Sequence, residues 1–135
     1  MFNLSLNSAI SIFINSQEKN LQLDFFRENQ QVLLQIFKGY DVKNWKIAFE
    51  SDNDDLILMI HFHKDKIDNK LNLERFKNSK WYNDFERVIM QGEVQYYLKS
   101  RTAHDSNILE IEIRELINIV YSLSFEKVAF TLNAY

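Results

Sequence analysis

Between Asp55 and His61 the chain runs Leu56, Ile57, Leu58, Met59 and Ile60 without a polar residue. A strand turns successive side chains to opposite sides, so this run is apolar on both faces. It predicts a strand from Leu56 to His63 that is covered on both sides or lies near the centre of a sheet. The run is far too short to span a bilayer, which takes about twenty apolar residues, so other elements of the same chain must cover it. The 135 residues, 46% hydrophobic and 26% charged, suffice for one domain over residues 1–135 and leave no room for a second. A chain of this size buries on the order of two-thirds of its unfolded surface and folds without metal or disulfide staples.

Cysteine is absent, which removes disulfides, thiolate zinc sites, iron–sulfur ligation and cysteine nucleophiles together. Met1 to Ser8 carries no Lys or Arg, and the apolar run that follows, Ala9 to Ile14, lacks the charged start and small-residue cleavage site of a signal peptide. The expected location is cytoplasmic, with no membrane contact. Sixteen Lys and Arg stand against nineteen Asp and Glu, a net charge of −3. That balance argues against direct nucleic-acid binding, whose affinity comes mostly from a basic face. With no proline and only two glycines, the turns must rest on Asn, Asp and Ser side chains that bond their own backbone.

Apolar spacing places the remaining elements. Phe2, Leu4 and Leu6 alternate as a strand, and Ile10, Ile12 and Ile14 continue that period. A helix capped by Ser8 and running through Phe13 is the competing reading, but renewed alternation at Leu21, Leu23 and Phe25 favours a hairpin. Phe26, Val32, Leu33, Ile36 and Phe37 share a helical stripe and Gly39 follows as a stop, predicting a helix between Phe26 and Lys38. Trp45, Ile47 and Phe49 alternate with Lys46 and Glu50, predicting a hairpin with the Leu56 strand across the turn Ser51 to Asp55. Leu71, Leu73 and Phe76 start a helix that Trp81, Phe85, Val88 and Ile89 continue towards Gly92, with a break allowed at Asn78 and Ser79. Val94, Tyr96 and Leu98 form a strand with Gln95, Tyr97 and Lys99 on its other side, so one of Tyr96 and Tyr97 is buried and the other exposed. Leu109, Ile113, Leu116, Val120 and Leu123 form a helix capped by Asp105 or Ser106, against a short strand from Leu109 to Ile113. Val128, Phe130 and Leu132 close the chain as a strand. The sum is an α+β domain, a mainly antiparallel sheet packed with about three helices.

Few residues carry chemistry. His61 and His63, two apart on a strand, share a face, and His61-Phe62-His63-Lys64-Asp65 resembles the start of the metal-binding motif of metallo-β-lactamase-fold hydrolases. That motif requires a histidine where Lys66 stands, and the fold needs a longer chain. A small phosphodiesterase, nuclease or metal-dependent enzyme would use His61, His63 and His104, with Lys64, Lys66 or Arg101 holding the anion. The expectation is instead no enzyme, no metal and no cofactor, because no glycine-rich loop or nucleophile elbow accompanies the histidines. Glu50, Asp52, Asp54 and Asp55 crowd one turn. Their repulsion calls for solvent, salt or a cationic partner, and no calcium loop fits, since Leu56 stands where the third ligand belongs. Arg75, Lys77 and Lys80 precede Trp81 and Tyr82, a pattern that can stack bases but reads better as the wet side of a helix whose rings face the core.

In size, acidity, cytoplasmic character and lack of catalytic residues the whole chain is similar to the small immunity proteins of bacterial contact-dependent growth inhibition and other polymorphic toxin systems. The resemblance implies tight binding to a cognate toxin protein, a basic nuclease domain in many cases, whose active site the inhibitor blocks with carboxylates placed where nucleic-acid phosphates would lie. On that expectation Glu50, Asp52, Asp54 and Asp55 make the electrostatic contact and Tyr97 is the exposed aromatic anchor.

Overall fold

The computed structural model describes residues 4–18, 20–27, 31–63, 67–89, 94–101 and 105–134. Leu6, Ala9, Ile10 and Phe13 recur at three- and four-residue spacing, and all are buried on one side of helix α1 (Leu6–Asn15). The Ser5 hydroxyl caps it by accepting from the Ser8 backbone N–H. The strand over Leu4 and Leu6 and the hairpin through Ile14 are therefore not formed, and Phe2 lies outside the described residues. Alternation at Ile10, Ile12 and Ile14 misleads because Ile12 is exposed, while the helical stripe is the set that reaches the core.

Strand β1 (Leu21–Phe26) is followed by β2 (Val32–Lys38), not by the helix expected between Phe26 and Lys38. Leu33, Leu34, Ile36 and Phe37 are all fully buried. A helix offering one apolar stripe would leave Leu34 wet, whereas a central strand buries both faces. Gly39 opens helix α2 (Gly39–Asn44) rather than stopping one. The segment from Trp45 to Phe49 is no strand, so the hairpin expected there gives way to α2 and an irregular crossing that returns the chain to β3 (Leu56–His63). Helix α3 (Ile67–Lys77) ends at the break allowed at Asn78 and Ser79, and the apolar positions beyond it belong to a 3-10 turn at Tyr82–Asp84 and to strand β4 (Glu86–Val88). Strand β5 (Val94–Arg101), helix α4 (Ser106–Tyr121) and strand β6 (Ala129–Ala134) fall where the periodicity puts them. Asp105 caps α4 by accepting from the N–H groups of Asn107 and Ile108.

The six strands form one sheet in the order β4-β5-β3-β2-β1-β6, with every neighbouring pair antiparallel. The fold is thus α+β with a mainly antiparallel sheet. The apolar strand β3 lies inside it, between β2 and β5, and its two faces enter two different cores. Leu56, Leu58, Ile60 and Phe62 join the large core beneath α1, α3 and α4, while Ile57 and Met59 join a small core with Phe37, Val42, Val88 and Leu98 on the reverse side. Helix α4 packs between α1 and α3. The buried Tyr121 hydroxyl at its end donates to the carbonyl of Leu33 at 2.6 Å and lies 2.9 Å from that of His61, tying the helix to β2 and β3. Burial pushes that phenol far above the usual tyrosine range. Among the described residues no helix is long and apolar enough to cross a membrane.

Candidate functional site

The small reverse core is roofed by α2 and the crossing that follows it. Their backbones are stitched together: the Gly39 N–H donates to the Asp55 carbonyl at 2.8 Å, and the Tyr40 N–H to the Asn53 carbonyl at 3.2 Å. The approach is so close that a Cβ at position 39 would stand 1.8 Å from the Asp52 carbonyl oxygen, which is why glycine occupies it. Lys46 takes a left-handed conformation (φ 57°). The Ile47 N–H then donates back to the Val42 carbonyl at 2.9 Å. Ile47 and Phe49 thereby pack against Phe37, Val42 and Ile57, the burial that the strand reading had assigned to a sheet face.

Asp55 is buried. Its carboxylate accepts from the Asp52 N–H at 3.0 Å and from the Ser100 hydroxyl at 2.7 Å, so it holds the turn and binds the cap to β5. As a partner-contacting charge it is replaced by its neighbours: Glu50, Asp52 and Asp54 are exposed. Glu50, Asp52 and Asp55, with Lys43, Phe49 and Ser51, line an open cleft of about 480 Å³. Three of the four carboxylates read from the sequence are thus gathered at one depression, with Asp54 on the same turn.

Tyr97 is not the exposed anchor. At 3% exposure it lies in the large core, its ring 5.0 Å from that of Phe76 and 5.9 Å from that of Phe62. Tyr96 and Tyr97 do occupy opposite faces, but the face of Tyr97 is the one the helices cover, and Tyr96 is half-buried with its ring 4.9 Å from His61. The exposed aromatics of the cap are Trp45 at 40% and Tyr40 at 36%. Trp45 rests on Phe37, 5.2 Å between ring centroids. Sequence reasoning missed it by placing Trp45 inward on a strand. The signal that could have found it is Gly39-Tyr40-Asp41, where a helix can begin with its acidic residue in the first turn.

Beneath this roof Asp41 is 1% exposed, and neither carboxylate oxygen has a hydrogen-bond partner among the described residues. Burial pushes its pKa from 3.8 up to about 6. Along the same face, beyond the small core, Asp24 is also buried but well supplied: Gln22 Nε2 donates to it at 2.8 Å, Gln35 Nε2 at 3.0 Å and Asn133 Nδ2 at 3.3 Å.

The histidines do not assemble into a described centre. His61 is buried on the reverse face against Tyr96. His63 pairs with Val94 at the end of β3, and its side chain lies outside the described residues, as do His104, Lys64 and Lys66. Among the described residues no three His, Cys, Asp or Glu side chains come within reach of one metal ion. The basic and aromatic run after α3 offers no stacking platform, since Trp81 is buried with the Lys80 ammonium 4.9 Å above its ring, and Lys80 pairs with Glu115 at 3.1 Å. No protein-family model, no curated protein and no solved structure matches the chain.

Proposed function

We propose that the chain is a non-catalytic, cytoplasmic inhibitor that neutralises a cognate bacterial toxin, a basic nuclease domain, by docking its α2 cap against the toxin's active site. The observation that carries this reading is the pairing, on one pinned cap, of three exposed carboxylates, Glu50, Asp52 and Asp54, with two half-exposed rings, Trp45 and Tyr40. Carboxylates of one sign steer a basic partner and accelerate its encounter. Large rings already seated on a core supply the anchors on which interface energy concentrates. Trp45, braced on Phe37, loses little freedom on binding. The same arrangement is what an immunity protein needs to occupy a site built for phosphates.

The test is retrieval of the tagged full chain from its native host after a high-salt wash, beside two variants: Glu50, Asp52 and Asp54 all replaced by Lys, and Trp45→Ala. A single stoichiometric basic protein retained by the wild type and weakened on the order of 100-fold by the charge reversal supports the reading. Equal retention by the charge-reversed chain removes the site. Recovery of the wild-type chain alone removes the inhibitor.

A further inference from the structure

On the opposite side of the sheet from the cap, where β1 ends and α4 turns off through Ser122, a second cavity of about 200 Å³ is lined by Arg27, Asn72, Arg75, Tyr121 and Ser122, with Leu71 and Leu123 as its apolar wall. None of the described carboxylates lines it. In a chain with more acidic than basic residues, two guanidinium groups bordering one small cavity without an acidic partner among the described residues are unusual company. Among the described residues neither Arg27 nor Arg75 forms an ion pair.

The two arginines are held differently. Arg75 has structural employment: its Nε donates to the Val120 carbonyl at 2.9 Å, covering an orphan acceptor at the end of α4, and its Nη2 donates to Asn72 Oδ1. Asn72 is itself 2% exposed, so these two bonds fix the plane of the guanidinium and leave its other edge without a partner among the described residues. Arg27 has no such task. Its side chain reaches the same cavity from just past the end of β1 and makes no hydrogen bond to a described residue. Like charges gathered at one small cavity repel each other in the absence of an anion, and capping α4 accounts for only one of them.

From this arrangement we infer that the cavity between β1, α3 and the end of α4 is an anion site, taking the phosphate or carboxylate group of a small ligand between Arg27 and Arg75. Guanidinium forks match both groups, giving paired charge-assisted hydrogen bonds. The Ser122 hydroxyl is available as a further donor, and Leu71 and Leu123 accept the carbon body next to the charged group. The volume lies below the roughly 300 Å³ at which pockets for drug-sized ligands begin, so the ligand is a single small anion or the charged end of a larger one. The site is independent of the cap: either can fail without touching the other.

The experiment titrates inorganic phosphate and, separately, acetate into the full chain at constant ionic strength, following backbone amides and arginine Nε–H signals by NMR. Saturable shifts confined to Asn72, Arg75, Ser122 and Leu123, weakened at least tenfold in Arg27→Gln, are the expected result. The arm that saturates names the source: phosphate alone, carboxylate alone, or either. Shifts that never saturate, that spread over surface lysines, or that persist unchanged in Arg27→Gln overturn the site. Should Arg27→Gln not fold, Arg27→Lys decides, since it keeps the charge and loses the fork: weakened binding supports the site, and wild-type binding overturns it.

Discussion

The two faces of the sheet are built on opposite plans. Under the helices, apolar side chains meet without a break. Phe76 packs against Phe62, Tyr82, Phe85 and Tyr97, and the buried Tyr121 hydroxyl in that region donates to the Leu33 carbonyl with the His61 carbonyl close by. On the reverse face the apolar part is small, its roof is one short helix and an irregular crossing, and the carboxyl group of Asp41 is sealed inside without a described partner. Asp24, further along the same face, shows that the sheet can bury a carboxylate with three amide donors. The lack of donors at Asp41 is therefore a property of the cap, not of the face. The larger stabilising core lies under the helices, whereas the face with the exposed charges and rings keeps a buried carboxyl without a described partner, a strain that the proposed docking role would tolerate.

The sharpest way to break this contrast is to cut each side once. Phe76→Ala opens a cavity at the meeting point of four rings and is expected to cost about 4 kcal/mol, read from the urea midpoint at unchanged m-value. A cost under about 1 kcal/mol would mean that the rings are not one packed unit. Asp41→Asn should act in the opposite direction. The native carboxyl takes up its proton near pH 6 and the unfolded one near 3.8, so between those values the native state binds more protons. Stability is lost as pH rises through that window and stays low above it. Fully expressed, the difference is worth about 3 kcal/mol. Asparagine still lacks a partner, so the expected gain at pH 7 is about 1 to 2 kcal/mol, shrinking as pH falls through 6 towards 4. A variant less stable than wild type at pH 7 would show that the carboxylate is satisfied in solution.

The same contrast explains what could be read from the sequence. Regular periodicity marks elements that bury one face against a large partner. The strands around Leu23, Leu98 and Phe130 and the helix from Ser106 were legible for that reason, and the Leu56 strand by its unbroken apolar run. The readings failed where polar residues interrupt a strand buried on both faces, as Gln35 does in β2, or where burial is supplied by irregular backbone. Leu33, Leu34, Ile36 and Phe37 fit a helical stripe only if Leu34 is ignored, and a strand buried on both faces has no period to show. Trp45, Ile47 and Phe49 alternate because a folded-back crossing tucks Ile47 and Phe49 into the core at Val42, which mimics a strand in sequence without its ladder. The candidate site was legible in its charges, because local repulsion among Glu50, Asp52 and Asp54 is a sequence property. Its aromatic anchor was not, since which tyrosine faces solvent depends on which side of the sheet three distant helices choose.

Within the dry face, Tyr121→Phe sharpens the account by removing a polar tip and no volume. The Leu33 carbonyl loses its buried donor, which is expected to cost about 1 kcal/mol with hydrogen exchange accelerating first at the end of α4. An effect confined to the reverse cap would contradict the tie between helix and sheet.

The smallest effect on stability is expected at Trp45, and it separates the two faces most cleanly. Its ring is 40% exposed and rests on Phe37 at the edge of the small core, so Trp45→Ala should change the unfolding free energy by about 0.5 kcal/mol or less, as surface positions do. Tyr97→Ala, the aromatic that sequence alone would have chosen as anchor, should cost several-fold more because it removes a ring packed against Phe62 and Phe76. For the affinity towards the basic partner proposed above the order should reverse, with Trp45→Ala the more damaging of the two once both variants are measured in their folded state. Equal losses of stability at the two positions would mean that the cap is as tightly packed as the helix face. The retained strain at Asp41 would then need an explanation other than binding.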